Sequence, residues 1–133
     1  MLNTLRHQYL AILWGIFIIV LCSMPLPQVK SVSFFEGFDK LVHVGVFFVL
    51  TAFLFLGTIR QHYTDGFRLI SAVKIVSASV IFGGFIEIIQ KELSTYRSAE
   101  LWDFFADVVG IGMAVFSYIL LHRTRLKTNE SIN

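Results

Sequence analysis

Charged side chains are scarce in this sequence: only 15% of its 133 residues are Asp, Glu, Lys or Arg, whereas soluble domains usually carry about a quarter. Cysteine is nearly absent, and an intrachain disulfide is excluded because Cys22 has no second cysteine to pair with. The basic residues are scattered, which excludes a nucleic-acid-binding stripe. Apolar residues are abundant instead, at 56% with 14 Phe. A chain this short could not hide so much apolar surface from water, so the expected solvent is a lipid bilayer.

Four long apolar runs occupy most of the chain. They cover residues 9–26, 41–59, 69–89 and 101–121. Each approaches the ~20 residues that cross a bilayer, and a backbone in lipid must satisfy its own hydrogen bonds, so each run is predicted to be a helix. We interpret the first run as an uncleaved span because no small-residue cleavage site follows it. The sequence therefore predicts an all-α, polytopic membrane protein, with four transmembrane helices in a bundle forming one domain over residues 1–133.

Basic residues are divided unevenly between the two sides of such a bundle. In a four-helix bundle both termini lie on the same side as the loop between the second and third runs. That side carries seven Lys and Arg residues, and the other side carries four. The positive-inside rule therefore predicts cytoplasmic N and C termini. Seven of the nine acidic residues lie toward the opposite side, so we expect the polar chemistry in the outer half of the protein.

Ionisable residues recur at helical spacing near the predicted outer ends of three spans. Asp103 and Asp107 are four residues apart, as are Asp39 and His43, and each pair therefore shares one helix face. Charge inside a membrane is costly and usually functional, so these groups are expected to meet in one shallow recess. The candidate site residues are, in chain order, Asp39, Lys40, His43, Glu87, Gln90, Arg97, Glu100, Asp103 and Asp107.

Small residues on the third and fourth spans offer a surface for close packing. The third span carries Gly83 and Gly84, and the fourth carries Ala106, Gly110 and Ala114. Small side chains let helix backbones approach each other in a membrane. We therefore expect these two helices to pack on one another through these residues and to bring the acidic groups together.

The order of the polar residues resembles that of the VanZ-like membrane proteins. The resemblance runs from Asp39 to about Gly112 in three elements, which are Asp39-Lys40-x-x-His43, Glu87-x-x-Gln90 and Arg97-x-x-Glu100-x-x-Asp103-x-x-x-Asp107-x-x-Gly110. The family often has Asp where Glu100 stands and Asn where Asp107 stands, so Asp107 adds a negative charge. The resemblance implies a small multi-pass protein of the bacterial cytoplasmic membrane and cell envelope. It also implies a link to antibiotic resistance, since the family's namesake is connected with resistance to the glycopeptide teicoplanin.

Three functions are compatible with the polar cluster. In the first, it is the active site of an envelope enzyme that acts on a lipid-linked or cell-wall precursor head group. His43 would be a general acid or base, because imidazole titrates near neutrality, and Arg97 would hold a phosphate or carboxylate through its planar guanidinium. The other candidate catalytic residues are Glu87, Asp103 and Asp107. The other candidate substrate-binding residues are Gln90, Asp39, Lys40 and Glu100.

In the second function the same cluster only binds an amphiphile, a drug or a glycopeptide-type ligand. In the third the protein is a small proton-coupled transporter, which would need to be a homo-oligomer and would have its acids at one end rather than at the midplane. A buried ion-pair network that only fixes helix register is the structural alternative. The residue types would also suit a divalent cation, although their spacing matches no recognised metal motif. Membrane lipids are the expected partners, and nucleic acid is not.

Overall fold

The computed structural model of the protein describes residues 6–23, 37–62, 69–93 and 101–130. Every secondary-structure element in this part of the chain is an α-helix. The four helices are α1 (Tyr9–Ser23), α2 (Phe38–His62), α3 (Leu69–Leu93) and α4 (Leu101–Glu130). The prediction of an all-α bundle of four apolar helices is therefore confirmed.

Three of the helices are long and apolar enough to cross a membrane, over Phe38–Gln61, Leu69–Glu92 and Leu101–Leu121. Their outer surfaces expose large apolar side chains, as expected of a protein that spans a bilayer. α1 is equally apolar but has 15 residues, about 22 Å at 1.5 Å per residue. Residues 24–26, which the sequence assigns to the first span, lie outside the described residues.

Three of the helices, α2, α3 and α4, extend beyond the apolar runs that predict them. α2 begins at Phe38, where the carbonyl of Gly37 accepts a hydrogen bond from the Leu41 amide (3.2 Å). α3 continues to Leu93, and α4 continues through polar residues to Glu130. Apolar runs mark only the part of a helix that lies in hydrocarbon, whereas backbone hydrogen bonding continues into the polar interface.

α2 is the central helix, and it packs against each of the other three. It runs antiparallel to α1, since the Trp14 indole N–H donates to the Val46 carbonyl at 3.0 Å while Gln8, near the other end, donates to the Leu54 carbonyl at 3.3 Å. Its most extensive contact is with the parallel helix α4. The resulting up-down order brings the start of α2, the end of α3 and the start of α4 to one end of the bundle, which we call the recess end.

The close crossing of α2 and α4 depends on Gly110. A Cβ atom there would clash with the backbone carbonyl of Val44 and would lie 3.1 Å from the amide nitrogen of Phe48. Gly110 was expected to pack against α3, and that prediction is wrong. The helix with which α4 makes its closest contact is α2, because the side chains of Asp107 and Phe104 occupy the space at Gly83 and Gly84 on α3.

Two apolar clusters form the core below the recess end. The first is built around the fully buried Phe47, together with Ile18, Leu50, Ile86 and Ile111. The second lies toward the other end, where Phe55 packs with Ala72 and Ile75 and stacks on Tyr118 with ring centroids 4.3 Å apart. Between the two clusters, the buried hydroxyl of Thr51 donates a hydrogen bond to Ser79 at 3.2 Å.

Candidate functional site

The recess end gathers polar side chains from three helices at similar depths. His43 lies five residues after the start of α2, Asp107 six residues after the start of α4, and Glu87 six residues before the end of α3. At 1.5 Å per residue these positions are about 7–9 Å from their helix ends. The prediction that ionisable residues of three spans form one shallow layer is thus met by the positions of these three.

A buried hydrogen bond between His43 and Asp107 is the centre of this layer. The His43 Nδ1–H donates to Asp107 Oδ1 at 2.9 Å, and both side chains are almost completely buried. The pair joins α2 to α4 immediately beside the Gly110 crossing, since Val44 follows His43 and Asp107 lies one turn before Gly110. The bond fixes which ring nitrogen carries a proton next to the carboxylate, and it leaves Nε2 as the second functional atom of the imidazole.

Three carboxylate oxygens at this pair, two from Glu87 and one from Asp107, have no hydrogen-bond partner among the described residues. Both carboxylate oxygens of Glu87 are buried, and no described side chain hydrogen-bonds to them. The second oxygen of Asp107, Oδ2, is likewise buried and unpartnered in the described part of the chain, and it lies 3.1 Å from the position that a Cβ atom of Gly83 would take. A glycine at position 83 therefore leaves the room that this carboxylate occupies.

A second polar layer lies about one helical turn closer to the recess end. Lys40 Nζ is 3.8 Å from Oδ1 of the buried Asp103, so the two opposite charges lie close together in this layer. Asp39 is exposed on the first turn of α2, and one of its carboxylate oxygens lies within 4.8 Å of ligand atoms of His43 and Asp103. This layer lies between the end of the bundle and the His43–Asp107 pair.

Gln90 is almost completely buried, at 2% exposure, one turn beyond Glu87 on α3. Its side-chain nitrogen has no hydrogen-bond partner within the described ranges, so it is a free donor close to the carboxylates. Arg97 and Glu100, the two remaining predicted site residues, lie outside the described residues.

The inner boundary of the recess is apolar. Phe47 lies one turn below His43 and is fully buried, and Ile111 lies one turn below Asp107 and is 2% exposed. Lys74 is exposed near the far end of α3. Within the described residues, the second apolar cluster occupies the core between Thr51 and that end, so no chain of buried polar side chains connects the recess to Lys74. The recess is therefore closed on its inner side by these residues.

The geometry also suits a metal ion. His43, Glu87 and Asp107 each offer one ligand atom, and the three atoms lie within 4.8 Å of one another. Asp39, His43 and Asp103 form a second group of this kind nearer the recess end. The inner group is the more protected of the two, because His43 and Asp107 are buried whereas Asp39 is exposed.

Residues that support the site were harder to foresee than the ionisable ones. Phe47, Thr51 and Gly83 shape the recess or the core beneath it, yet each is an ordinary residue of a membrane helix. The spacing could have indicated two of them, because Phe47 and Thr51 follow His43 at intervals of four residues and therefore share its helix face.

Comparisons with protein-family models, curated proteins and solved structures find no match to this chain.

Proposed function

We propose that this chain is a VanZ-like protein of the bacterial cytoplasmic membrane, with both termini in the cytoplasm and the recess end facing outward. The support for the orientation is the division of Lys and Arg, seven against four, between the two sides of the bundle. The support for the family is the order of the polar residues, from Asp39-Lys40-x-x-His43 to the elements on the last two spans.

In this proposal the recess binds the polar head group of a lipid-linked or cell-wall-related amphiphile and acts on it by acid–base chemistry. The observation that carries the proposal is the buried hydrogen bond of 2.9 Å between His43 and Asp107, with the Glu87 carboxylate beside it. A carboxylate that accepts from Nδ1 orients the imidazole, so that Nε2 can take up or deliver a proton at a bound head group.

The depth of the layer supports an amphiphilic ligand. A site some 7–9 Å from the helix ends lies near the boundary between head groups and hydrocarbon, within reach of a lipid whose chains remain in the membrane. Lys40 adds a cation at the rim, 41% exposed, where it can contact an anionic group such as a phosphate. Arg97 is expected to contribute a second cation of this kind.

The apolar inner boundary favours this function over transport. A proton relay would need titratable or hydroxyl groups in continuous hydrogen-bond contact across the bundle. Phe47 separates the His43 layer from the Thr51–Ser79 hydrogen bond. Beyond that bond, the buried cluster of Phe55, Ala72 and Ile75 is apolar, and the partly buried polar contact there joins Gln8 to Thr58. Binding without turnover is the remaining alternative, and the experiment below distinguishes it from catalysis.

The test is mass spectrometry of envelope lipids and precursors from cells with and without the protein. We expect head-group species that change when wild-type protein is present, and that change to be lost in Glu87→Gln and in His43→Ala. Glu92→Gln is the matched control, because Glu92 is an exposed acid on the same helix, and it should behave as wild type. Profiles that are identical in all strains, with one amphiphile co-purifying with wild type but not with Glu87→Gln, would indicate binding without catalysis. Identical profiles with no co-purifying amphiphile would contradict both readings.

A role in glycopeptide resistance is the finer part of the proposal. Cells that express the wild-type chain should tolerate a higher concentration of teicoplanin than cells that express Glu87→Gln at the same level. Equal growth inhibition of the two strains across a teicoplanin dilution series would contradict the resistance that the family resemblance implies for this chain.

A further inference from the structure

The carboxylates of the recess outnumber the cations that the structure places among them. They are Asp39, Glu87, Asp103 and Asp107, and the cations among the described residues at this end are Lys40, the exposed Lys91 on the last turn of α3 and, when protonated, the imidazole of His43. Removing carboxylates from water is costly unless each gains a partner. Glu87 is the clearest case, because both of its buried oxygens lack a hydrogen-bond partner in the described part of the chain.

The three inner groups are spaced as the ligands of a single ion would be. Three atoms that all lie within 4.8 Å of one another have a common point no more than about 2.8 Å from each. Small side-chain rotations would bring them to the ~2.0–2.2 Å of metal–nitrogen and metal–oxygen bonds. Metal binding would replace the hydrogen bond of 2.9 Å between His43 Nδ1 and Asp107 Oδ1, because an imidazole nitrogen that ligates an ion carries no proton.

A fully buried carboxylate oxygen supplies a second, independent observation. Asp107 is 0% exposed and its Oδ2 has no hydrogen-bond partner within the described residues. A Cβ atom at position 83 would lie 3.1 Å from this oxygen, so the absence of a side chain at Gly83 provides its space. A polar atom held in the protein interior without a partner calls for an explanation, and a bound ion is one that the neighbouring ligand atoms supply.

We infer that His43, Glu87 and Asp107 form a binding site for one divalent transition-metal ion. One imidazole nitrogen and two carboxylate oxygens suit Zn²⁺ or Mn²⁺ better than Ca²⁺, which prefers six to eight oxygen ligands. Three protein ligands leave at least one coordination position open, as catalytic metal sites do. The inference deepens the proposed function, on which it rests for the nature of the outer ligand, namely an anionic head group near Lys40.

The test uses Mn²⁺ as the probe, with the full chain purified in detergent through a tag that contains no histidine. Electron paramagnetic resonance of free Mn²⁺ gives the stoichiometry and the Kd, and its pulsed form detects nitrogen that is bonded to the ion. We expect one Mn²⁺ per chain, a nitrogen modulation from one imidazole, and displacement of the Mn²⁺ by Zn²⁺ in agreement with the general affinity order of these metals.

Matched variants distinguish Mn²⁺ binding in the recess from unspecific binding of Mn²⁺ to exposed acidic side chains. Glu87→Gln and Asp107→Asn should raise the Kd at least 100-fold, since each removes a ligand charge, whereas Glu92→Gln should leave it within twofold of wild type. His43→Gln should abolish the nitrogen modulation, and His7→Gln should not. Far-UV circular dichroism and gel filtration establish that each variant is folded.

Absence of bound Mn²⁺ in the wild-type chain would overturn the inference, as would a Kd that Glu87→Gln leaves unchanged. If the recess variants fail to fold, the wild-type spectrum decides by itself, because bound Mn²⁺ without a nitrogen modulation excludes His43 as a ligand. No lipid substrate is present in this measurement. Failure to bind Mn²⁺ would therefore contradict the metal site but not the proposed head-group chemistry. An unchanged lipid profile would contradict the head-group chemistry but not the metal site.

Discussion

At the scale of single residues, two hydrogen bonds between buried side chains connect the helices. His43 and Asp107 pair with each other, and Thr51 pairs with Ser79 in the middle of the bundle. In a membrane interior a hydrogen bond between helices contributes about 0.6 kcal/mol on average. Such contacts stabilise the bundle modestly, and their larger effect is to fix which helix faces meet.

Asp107→Asn should separate the charge of this residue from its hydrogen bond. The amide oxygen of Asn can still accept from the His43 Nδ1–H at nearly the same distance, so we expect the thermal unfolding temperature in detergent to stay within a few degrees of wild type. In the proposed function, any change in envelope lipids that depends on the wild-type chain should be lost, because the negative charge that orients and balances the imidazole is gone. A variant that retains full activity would show that the charge of Asp107 has no role in the chemistry.

The Thr51–Ser79 hydrogen bond should be worth little more than 1 kcal/mol. Thr51→Val and Ser79→Ala each remove one partner of the 3.2 Å contact, and each should lower the free energy of unfolding by about 1 kcal/mol. The double variant should lose less than the sum of the two, because the second substitution has no bond left to break. Reversible unfolding in mixed micelles provides the three values, and strictly additive losses would argue against a bond between the two hydroxyl groups.

At the scale of helices, the approach of α2 and α4 sets the geometry of the recess. The backbone of α2 touches α4 at Gly110, and backbone atoms cannot rotate away as a side chain can. The same crossing holds His43 opposite Asp107, which lies one turn from Gly110. The packing at Gly110 is therefore coupled to the distance between His43 and Asp107, the two central groups of the proposed site.

Gly110→Ala should destabilise the protein and open the His43–Asp107 contact. The new methyl group would clash with the carbonyl of Val44, and overpacking of this kind typically costs about 1–3 kcal/mol. Gly112→Ala is the matched control, since no atom lies within 4 Å of a Cβ placed there and alanine is the better helix former. Unfolding measurements should show a loss for Gly110→Ala and no loss for Gly112→Ala. Equal stabilities would mean that the two helices do not approach closely at Gly110.

The helices could be predicted from sequence because lipid imposes a length and a composition on each of them. The shared depth of His43, Glu87 and Asp107 was also predictable, since helical rise converts sequence position into distance from the membrane surface. The partner of each helix could not be predicted in this way. Gly110 is a small residue that suits contact with either neighbour, and only the packing of the whole bundle assigns it to α2 rather than α3.

At the scale of the whole molecule, the up-down order divides the protein into a polar end and an apolar remainder. Asp39 is exposed at the recess end, and Arg60 is exposed near the opposite end of the same helix. The two ends are separated by the apolar clusters around Phe47 and Phe55. The proposed orientation in the membrane assigns them to opposite sides of the bilayer.

Cysteine labelling tests that orientation directly. In a Cys22→Ala background, Asp39→Cys should react with a membrane-impermeant maleimide applied to intact cells, whereas Arg60→Cys should react only after the membrane is permeabilised. Both positions lie on α2 and are exposed, so a difference between them reports the side of the membrane and not burial. Labelling of Arg60→Cys alone in intact cells would reverse the proposed topology.

Phe47 has a consequence for how any ligand of the recess is exchanged. Its ring fills the core directly beneath the His43–Asp107 layer, so among the described helices no buried polar side chain lies directly inward of that layer. In the proposed function, a head group that binds at this layer has to enter and leave by the recess end, and its tails stay in the leaflet from which it arrived. Turnover by this protein would then be limited by lateral diffusion and head-group release within one leaflet, with no flipping of the lipid between leaflets.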